Sequence, residues 1–353
     1  MSHSAIAPGQ HVPMRTVLGH LWPPLLMGAI MTFAYLWGFH APSPRHLPVA
    51  VVGQASTPIA DGLEQRFADG LDVTVAADEA TARDDLAHQR IAAAYVPADP
   101  RGTDATARLL VATGSSETTT NVTEKIFRSV AEKQGARLAI EDTAPLHEND
   151  PIGQNGFFYL VGLTIASYAT SIAIGAAGAT RRMRERALLA LGASVVIPTV
   201  LVAIASTQGV FAGHTLTAWG LSVLYSLGVL LIGVGLHPIV GRFATVLYSA
   251  LFVGFNFTSS GGVFAPTMQP ALFAWLHRIW IGAGFIEAER RTAYFPLMSR
   301  ATPVLTLLAW ILVGLLAIGL GTLRERRHLG PIDARHALDA DTEEEIEEAS
   351  AVG

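Results

Sequence analysis

Few side chains in this chain have the type or the spacing that catalysis needs. The sequence contains no cysteine, which excludes thiol catalysis and cysteine-based metal sites. Neither of the two lysines, Lys125 and Lys133, follows a glycine, so the Gly-Lys-Ser/Thr sequence of a phosphate-binding loop is missing. The twelve histidines are scattered and never form the His-Glu-x-x-His pair of a zinc hydrolase. We therefore predict no catalytic residue, no metal and no cofactor in this chain.

The residues after the fifth apolar segment are the most informative. Two adjacent glycines and two prolines interrupt a sequence that otherwise continues as a membrane helix, and the interruption frees backbone groups at membrane depth. Such a break needs protein or water around it, so the sequence predicts either an outer gate, followed by a re-entrant or interfacial segment over 265–300, or a plain turn between two spans. The residues of this predicted gate are Ser259, Ser260, Gly261, Gly262, Pro266 and Pro270.

The second apolar segment is semi-polar and carries a stripe of small residues. Ser171, Gly175 and Ala179 recur at every fourth position, which favours close helix packing within the chain or across a dimer. Its hydroxyl groups suit either the wall of a transport pathway or hydrogen bonds between helices. The candidate pathway or packing residues are Thr164, Ser167, Tyr168, Thr170, Ser171, Gly175 and, from the fifth segment, Asn256.

A short basic turn joins the second and third segments. The positive-inside rule explains it, but a rigid turn of this kind would also suit contact with a cytosolic partner. Nine arginines near the segment ends fall on this side and five on the other, so we expect both chain termini in the cytoplasm. The residues of this predicted coupling turn are Arg181, Arg182, Arg184, Glu185 and Arg186.

Six apolar segments must position these residues. About twenty residues cross a hydrocarbon core of about 30 Å, and each segment has that length. None of them contains Asp, Glu, Lys or Arg, which argues against a proton antiporter because ion coupling usually needs such groups in the membrane. The first segment exceeds the apolar length of a cleavable signal peptide, so we favour an uncleaved anchor. The predicted spans are 16–40, 156–179, 187–206, 215–240, 243–264 and 302–323.

Residues 41–155 have a different composition, with seventeen acidic and ten basic side chains. Apolar strands alternate with amphipathic helices, a pattern that predicts a small α/β domain. The expected strands are 47–53, 71–76, 91–97 and 107–113, and the expected helices are 57–69, 78–89 and 115–141. The acidic balance here and at 339–348 does not suit nucleic acid.

Together these observations predict a polytopic α-helical membrane protein with six transmembrane helices. One small extracytoplasmic α/β domain lies between the first and second helix. The predicted parts are a cytoplasmic lead at 1–15, the first helix at 16–40, the domain at 41–155, a five-helix membrane domain at 156–323 and an acidic, disordered cytoplasmic tail at 324–353.

This order of parts resembles the YhgE/Pip family of ABC type-2 permease-like membrane proteins. The residues that carry the resemblance are the strand Leu47–Gly53, the strand at 91–97 that ends in proline, and 259–266 with Pro270 four residues on. The compact external domain departs from the larger, coiled-coil-bearing domains of many members. The resemblance implies that 259–270 forms the outer closure and that the basic turn contacts a separate cytosolic ABC ATPase, the only source of ATP chemistry.

The leading hypothesis from the sequence is therefore a permease subunit in the bacterial inner or plasma membrane. It would act as a homodimer or pseudo-dimer in the lipid bilayer and export a hydrophobic or lipid-like substrate. The alternative is a non-transporting membrane scaffold or receptor that acts through its extracytoplasmic domain.

Overall fold

A computed structural model describes residues 14–99 and 105–328. It is 68% helical and contains five helical segments that are long and apolar enough to cross a membrane, as expected for a polytopic helical membrane protein. These candidate spans are Leu21–Phe39, Asn155–Ala177, Met183–Thr207, Thr215–Ser259 and Ala301–Arg327. The fourth, of 45 residues, covers the fourth predicted segment and the fifth as far as Ser259. The predicted N-terminal lead before residue 14 and the tail beyond 328 lie outside the described residues.

The helices follow the predicted order, with bounds that differ by a few residues. The long ones are α1 (Met14–Phe39), α5 (Asn155–Ala177), α6 (Met183–Thr207), α7 (Thr215–Val240) and α12 (Ala301–His328). The shorter ones are α2 (Thr57–Phe67), α3 (Glu79–Ala87), α4 (Glu117–Lys133), α8 (Ala244–Ser249), α9 (Asn256–Ser259), α10 (Ala271–His277) and α11 (Ile281–Ala293). Because α12 continues to His328, the first residues of the predicted disordered tail are helical.

A five-stranded sheet forms between α1 and α5. Its strands are β1 (Leu47–Val52), β2 (Leu71–Ala76), β3 (Ala93–Val96), β4 (Thr106–Val111) and β5 (Arg137–Asp142), in the order β2-β1-β3-β4-β5. All pairs are parallel except β3 with β4. Alternate residues of each strand face opposite sides, so the sheet has two cores. One lies under α2 and α4, and the other lies under α3.

The predicted helix 115–141 is wrong in its last third. Gly135 adopts a positive φ of 68°, and the N–H of Ala136 donates to the carbonyl of Ala131 at 2.9 Å. This is the pattern of a Schellman C-cap, which ends α4 and reverses the chain. The following residues leave as β5, and Leu138 and Ile140 then lie beside β4.

Helix α7 is central to the membrane part, and glycines bring its neighbours close. A Cβ on Gly235 would lie 2.4 Å from the backbone of Ala317, and one on Gly321 would lie 2.3 Å from the carbonyl oxygen of Gly235. Gly228 and Gly314, seven residues earlier on each helix, also face the opposite helix, where a Cβ on Gly314 would lie 2.6 Å from Cβ of Leu231. Small residues at such spacing let membrane helices pack backbone against backbone, so α12 is held tightly against α7.

The fifth predicted segment is shorter than expected. Gly241, with a φ of 52°, turns the chain after α7, and one helical run then extends over 244–259. Its middle, Ala250–Phe255, is π-helical, a local widening that is frequent at functional sites. The run ends at Ser259 rather than at Phe264, because Gly261 has a φ of 76° that a helix does not allow.

The connection from α11 to α12 anchors the sheet to the bundle. Phe295 is 2% exposed and belongs to the second core of the α/β domain, beside Ala82 and Leu86 of α3. The ring of Tyr294 packs on Gly114, where a Cβ would lie only 2.6 Å from it. One core of the domain is therefore completed by a residue from the membrane part of the sequence.

Candidate functional site at the helix break

The break after α9 leaves carbonyl groups without helical partners, and three side chains supply the donors. Gln269 Nε2 donates to the carbonyl of Thr258 at 2.7 Å, and His277 Nδ1 donates to that of Ser259 at 2.9 Å. Arg290 donates to the carbonyl of Gly261 at 2.8 Å. Long polar or cationic side chains are suitable partners for the last carbonyls of a helix. The carbonyl groups at the break are thus hydrogen-bonded by side chains rather than by backbone N–H groups.

The three capping side chains belong to one hairpin that folds back after the break. Pro266 starts a 3-10 turn, Pro270 immediately precedes α10, and α10 leads into α11. The first six residues of α11 are buried. The predicted re-entrant or interfacial segment at 265–300 contains α10 and α11.

The two glycines of the predicted gate are required by close approach. A Cβ on Gly261 would lie 2.7 Å from the imidazole of His277, and one on Gly262 would lie 2.8 Å from the ring of Phe157. The N–H of Gly262 donates to Ser260 Oγ at 3.1 Å, and Ser260 Oγ donates to the carbonyl of Phe257. Ser259, whose carbonyl His277 caps, is fully buried. Ser259, Ser260, Gly261 and Gly262 thus form one compact turn, whereas Pro266 and Pro270 belong to the hairpin above it.

A mostly buried ion cluster holds this turn. Glu287 is 17% exposed and accepts a hydrogen bond from Arg290 at 2.6 Å, while His277 Nε2 lies 3.7 Å from the same carboxylate. Burial by itself raises the pKa of Glu287, but Arg290, His277 and Arg291 outweigh it and lower that pKa. Burial lowers the pKa of His277. The Glu287 carboxylate is therefore ionised near pH 7.

A small polar cavity lies between this turn and the α/β domain. It encloses about 60 Å³, which is room for about four water molecules. His214 Nε2 lies 3.1 Å from Glu289 at its wall, and Asp150 accepts the backbone N–H groups of Gln154 and Asn155 there. Burial raises the pKa of Asp150. This volume is below that of pockets that bind drug-sized ligands.

Asn256 connects the break to the bundle core. Its Oδ1 accepts the N–H of Gly282 at 2.8 Å, at the start of α11, and its Nδ2 donates to the hydroxyl of Tyr225 at 2.9 Å. Thr164 lies 2.6 Å from the same hydroxyl and donates to the carbonyl of Leu160. Because the Thr164 hydroxyl donates to Leu160, the Tyr225 hydroxyl donates to Thr164. One ordered chain of hydrogen bonds therefore joins α11, α9, α7 and α5.

The polar residues predicted in the second segment mostly face α7. Ser167 lies 2.9 Å from Ser226, and a Cβ on Gly233 would lie 2.0 Å from Ser171 Oγ. Gly175 makes an equally close approach to His237, with 2.4 Å from its Cβ position. Tyr168 and Thr170 are partly buried, and Ala179, the last member of the stripe, follows α5 and is exposed. These contacts make the stripe an intramolecular packing surface, which we call the α5–α7 seam.

The basic turn lies at the opposite end of the bundle and is shorter than predicted. Helix α6 begins at Met183, so Arg184, Glu185 and Arg186 belong to its first turn. Arg186 is buried and pairs with Glu325 of α12, and it is therefore part of the packing rather than a surface for a partner. Arg181 and Arg184 are exposed, and Arg182 is exposed as well.

Sequence reasoning missed the residues that hold the break. The sequence singled out none of these six residues, which are His277, Glu287, Arg290, Arg291, Gln269 and Tyr225. A signal was present, since Glu287, Arg290 and Arg291 are spaced to pair on one helix face. Comparison with protein-family models, with curated proteins and with solved structures finds no match to this chain.

Proposed function

We propose that this chain is the membrane subunit of an ABC type-2-like exporter in a bacterial inner membrane. It would span the membrane six times, with both termini in the cytoplasm and the α/β domain outside. A second copy would complete the permease, and a separate cytosolic ATPase would drive it. The cargo would be a hydrophobic or lipid-like molecule.

The observation that carries this proposal is the capped helix break. Three donors from one hairpin hold the carbonyls of Thr258, Ser259 and Gly261. A closure made by side chains can open and re-form without unfolding a helix, because water or a moved hairpin can satisfy the same carbonyls. Its position next to the α/β domain and away from the basic turn suits an outer gate.

Recovery of an ATPase tests the proposal directly. The full chain, purified from its source membrane in mild detergent, should bring down a nucleotide-binding subunit and stimulate its ATP hydrolysis. Arg184→Glu, which reverses an exposed charge on the first turn of α6, should reduce that stimulation. Arg278→Glu, an exposed charge beside α10, is the matched control and should leave it unchanged.

Membrane sidedness is the second arm of the same test. Because the chain has no cysteine, single cysteines at Arg184 and Arg278 can be labelled without background. An impermeant maleimide added outside intact cells should label only the variant at 278. Failure to recover any ATPase, with unchanged lipid and drug export after deletion of the gene, would contradict the proposal.

The receptor alternative is favoured by a different contact. Phe295 completes a core of the α/β domain, so a partner bound to the domain would act directly on α11 and α12. In a receptor without transport, Phe295→Ala should abolish signalling and leave no export defect. A permease should instead lose export in that variant.

A further inference from the structure

A shallow groove runs along the lipid-facing side of the bundle between α5 and α6. Its volume is about 480 Å³, within the range of ligand-binding pockets. Both walls belong to candidate membrane spans. Gly162 lies in the groove, and no heavy atom lies within 4 Å of the position of a Cβ there, so the space above it is open.

The groove is amphipathic along its length. Asn149, Asn155 and Gln208 lie at the end near the α/β domain, where α5 begins and α6 has just ended. Seven residues further along α5, or about 10 Å at 1.5 Å per residue, the lining is apolar. Its apolar side chains include Phe158, Leu201 and Ile204, of which Phe158 and Ile204 are more than half exposed. The groove is thus polar at the end near the α/β domain and apolar further along α5. A membrane lipid has the same order, with a polar headgroup outermost and apolar acyl chains further in.

The side chains at the polar end limit the kinds of headgroup that the groove can bind. None of the side chains that line the groove carries a charge. Asn155 donates through Nδ2 to the carbonyl of Asn149, and Gln208 donates through Nε2 to Thr207. Among the described contacts this leaves a second N–H and the side-chain carbonyl oxygen of both Asn155 and Gln208 without a partner, so each amide can still donate and accept. Groups that both donate and accept match the hydroxyl groups of a ligand.

The groove also borders the acidic side of the polar cavity. Asn149, Asn155 and Val210 line both spaces, and Asp150 and Glu289 lie on the cavity side. Arg290 also lines the cavity but already pairs with Glu287, so a phosphate headgroup at the polar end would meet a net negative charge and be repelled. An uncharged headgroup avoids this cost.

We propose that the α5–α6 groove binds a single membrane lipid with an uncharged, hydroxyl-bearing headgroup, such as a glycolipid. This inference rests on the proposed function and deepens it, because it names the substrate class and the place where that substrate enters beside the break. The acyl chain lies against Phe158 and Ile204 over Gly162, and the headgroup hydroxyls donate to Asn155 and Gln208.

Photolabelling of the full chain in phosphatidylcholine nanodiscs tests this site. One probe is a monoglycosyl diacylglycerol with a diazirine in its acyl chain, and the other is phosphatidylglycerol with the same chain. Mass-spectrometric mapping should place the glycolipid label on α5 and α6 around Gly162, with little label from phosphatidylglycerol there. Gly162→Trp should lower this label to the level of the remaining lipid-facing surface.

Matched variants keep the test interpretable. Gly192→Trp fills equally open space elsewhere on α6 and should label like the wild type. Gln208→Leu should weaken glycolipid labelling about 2- to 10-fold, the value of one hydrogen bond, whereas Ser206→Leu should not. Equal labelling by both probes, unchanged by Gly162→Trp, would overturn the inference. Labelling needs no ATPase, so an absent ATPase would overturn only the proposed function.

Discussion

The α5–α7 seam and the helix break satisfy buried polar groups in opposite ways. In the seam, short hydroxyl side chains such as Thr164 and Ser167 bond to a carbonyl of their own helix and to one neighbour on α7. At the break, long side chains reach from a separate hairpin to backbone carbonyls. The seam can change only if two packed helices separate, whereas the break can change if one hairpin moves. Hydrogen bonds from short side chains within the seam fix the interface between two helices. Hydrogen bonds from the long side chains of the hairpin hold the break only while the hairpin stays in place.

Removing Arg290 should have the largest effect on this contrast. Arg290→Ala leaves the Glu287 carboxylate with less compensation and the carbonyl of Gly261 without its donor. Loss of one partner of a buried ion pair costs about 3–5 kcal/mol. We expect a clearly lower Tm in detergent and faster proteolysis at 260–270. Arg278→Ala, which removes an exposed arginine of the same hairpin, should change Tm little.

A substitution in the seam should lower the free energy of unfolding less, because the hydrogen bonds there are numerous and individually weak. Tyr225→Phe removes the hydroxyl between Asn256 and Thr164. Hydrogen bonds between membrane helices contribute about 0.6 kcal/mol on average and up to about 1.7 kcal/mol, so the loss of unfolding free energy should fall in that range. Tyr168→Phe is the control on α5. A loss as large as that of Arg290→Ala would remove the distinction between the two regions.

The smallest predicted effect is a pH dependence of the free energy of unfolding, which arises from His277 at the break. Burial lowers the pKa of this imidazole below its ordinary value of 6.5. Below that pH the unfolded chain therefore binds more protons than the folded chain, and the free energy of unfolding falls as the pH falls. His277→Asn retains a donor for Ser259 and cannot titrate. Its Tm should fall less than that of the wild type between pH 7 and pH 5.5, whereas equal slopes would exclude His277 as the cause.

The fold was largely predictable because its signals are local. Apolar length located the membrane helices, and short apolar runs located β1 to β4 within a few residues. The missed strand β5 follows a C-cap whose only sequence sign is Gly135, and its side chains, including Ile140, are largely exposed, so it lacks the apolar run of a buried strand. The exact end of the fifth segment depended on Gly261, whose positive φ is a tertiary feature.

The site was only partly predictable, because its partners come from distant positions. The glycine pair indicated that a helix must end, but not that His277 and Arg290 would cap its carbonyls. Polar residues on α5 indicated an interface without showing whether it faced α7, a second copy or a pathway. Arg186 was interpreted from charge alone, and only the position of Glu325 shows that it is a packing residue. Local pattern predicts that a group needs a partner, and the fold determines which one.

The burial of Phe295 has a consequence for biogenesis. The strands of the α/β domain are complete at Asp142, yet Phe295 enters its second core only from the segment before α12. During synthesis, α5, α6 and α7 would be made before Phe295. The second core of the domain would therefore lack this side chain, and remain exposed to water, until then. The domain would complete its folding only after the helices before α12 have reached their positions, because only then can Phe295 pack into its second core. Assembly of the chain thus has a built-in order, with the earliest domain completed among the last.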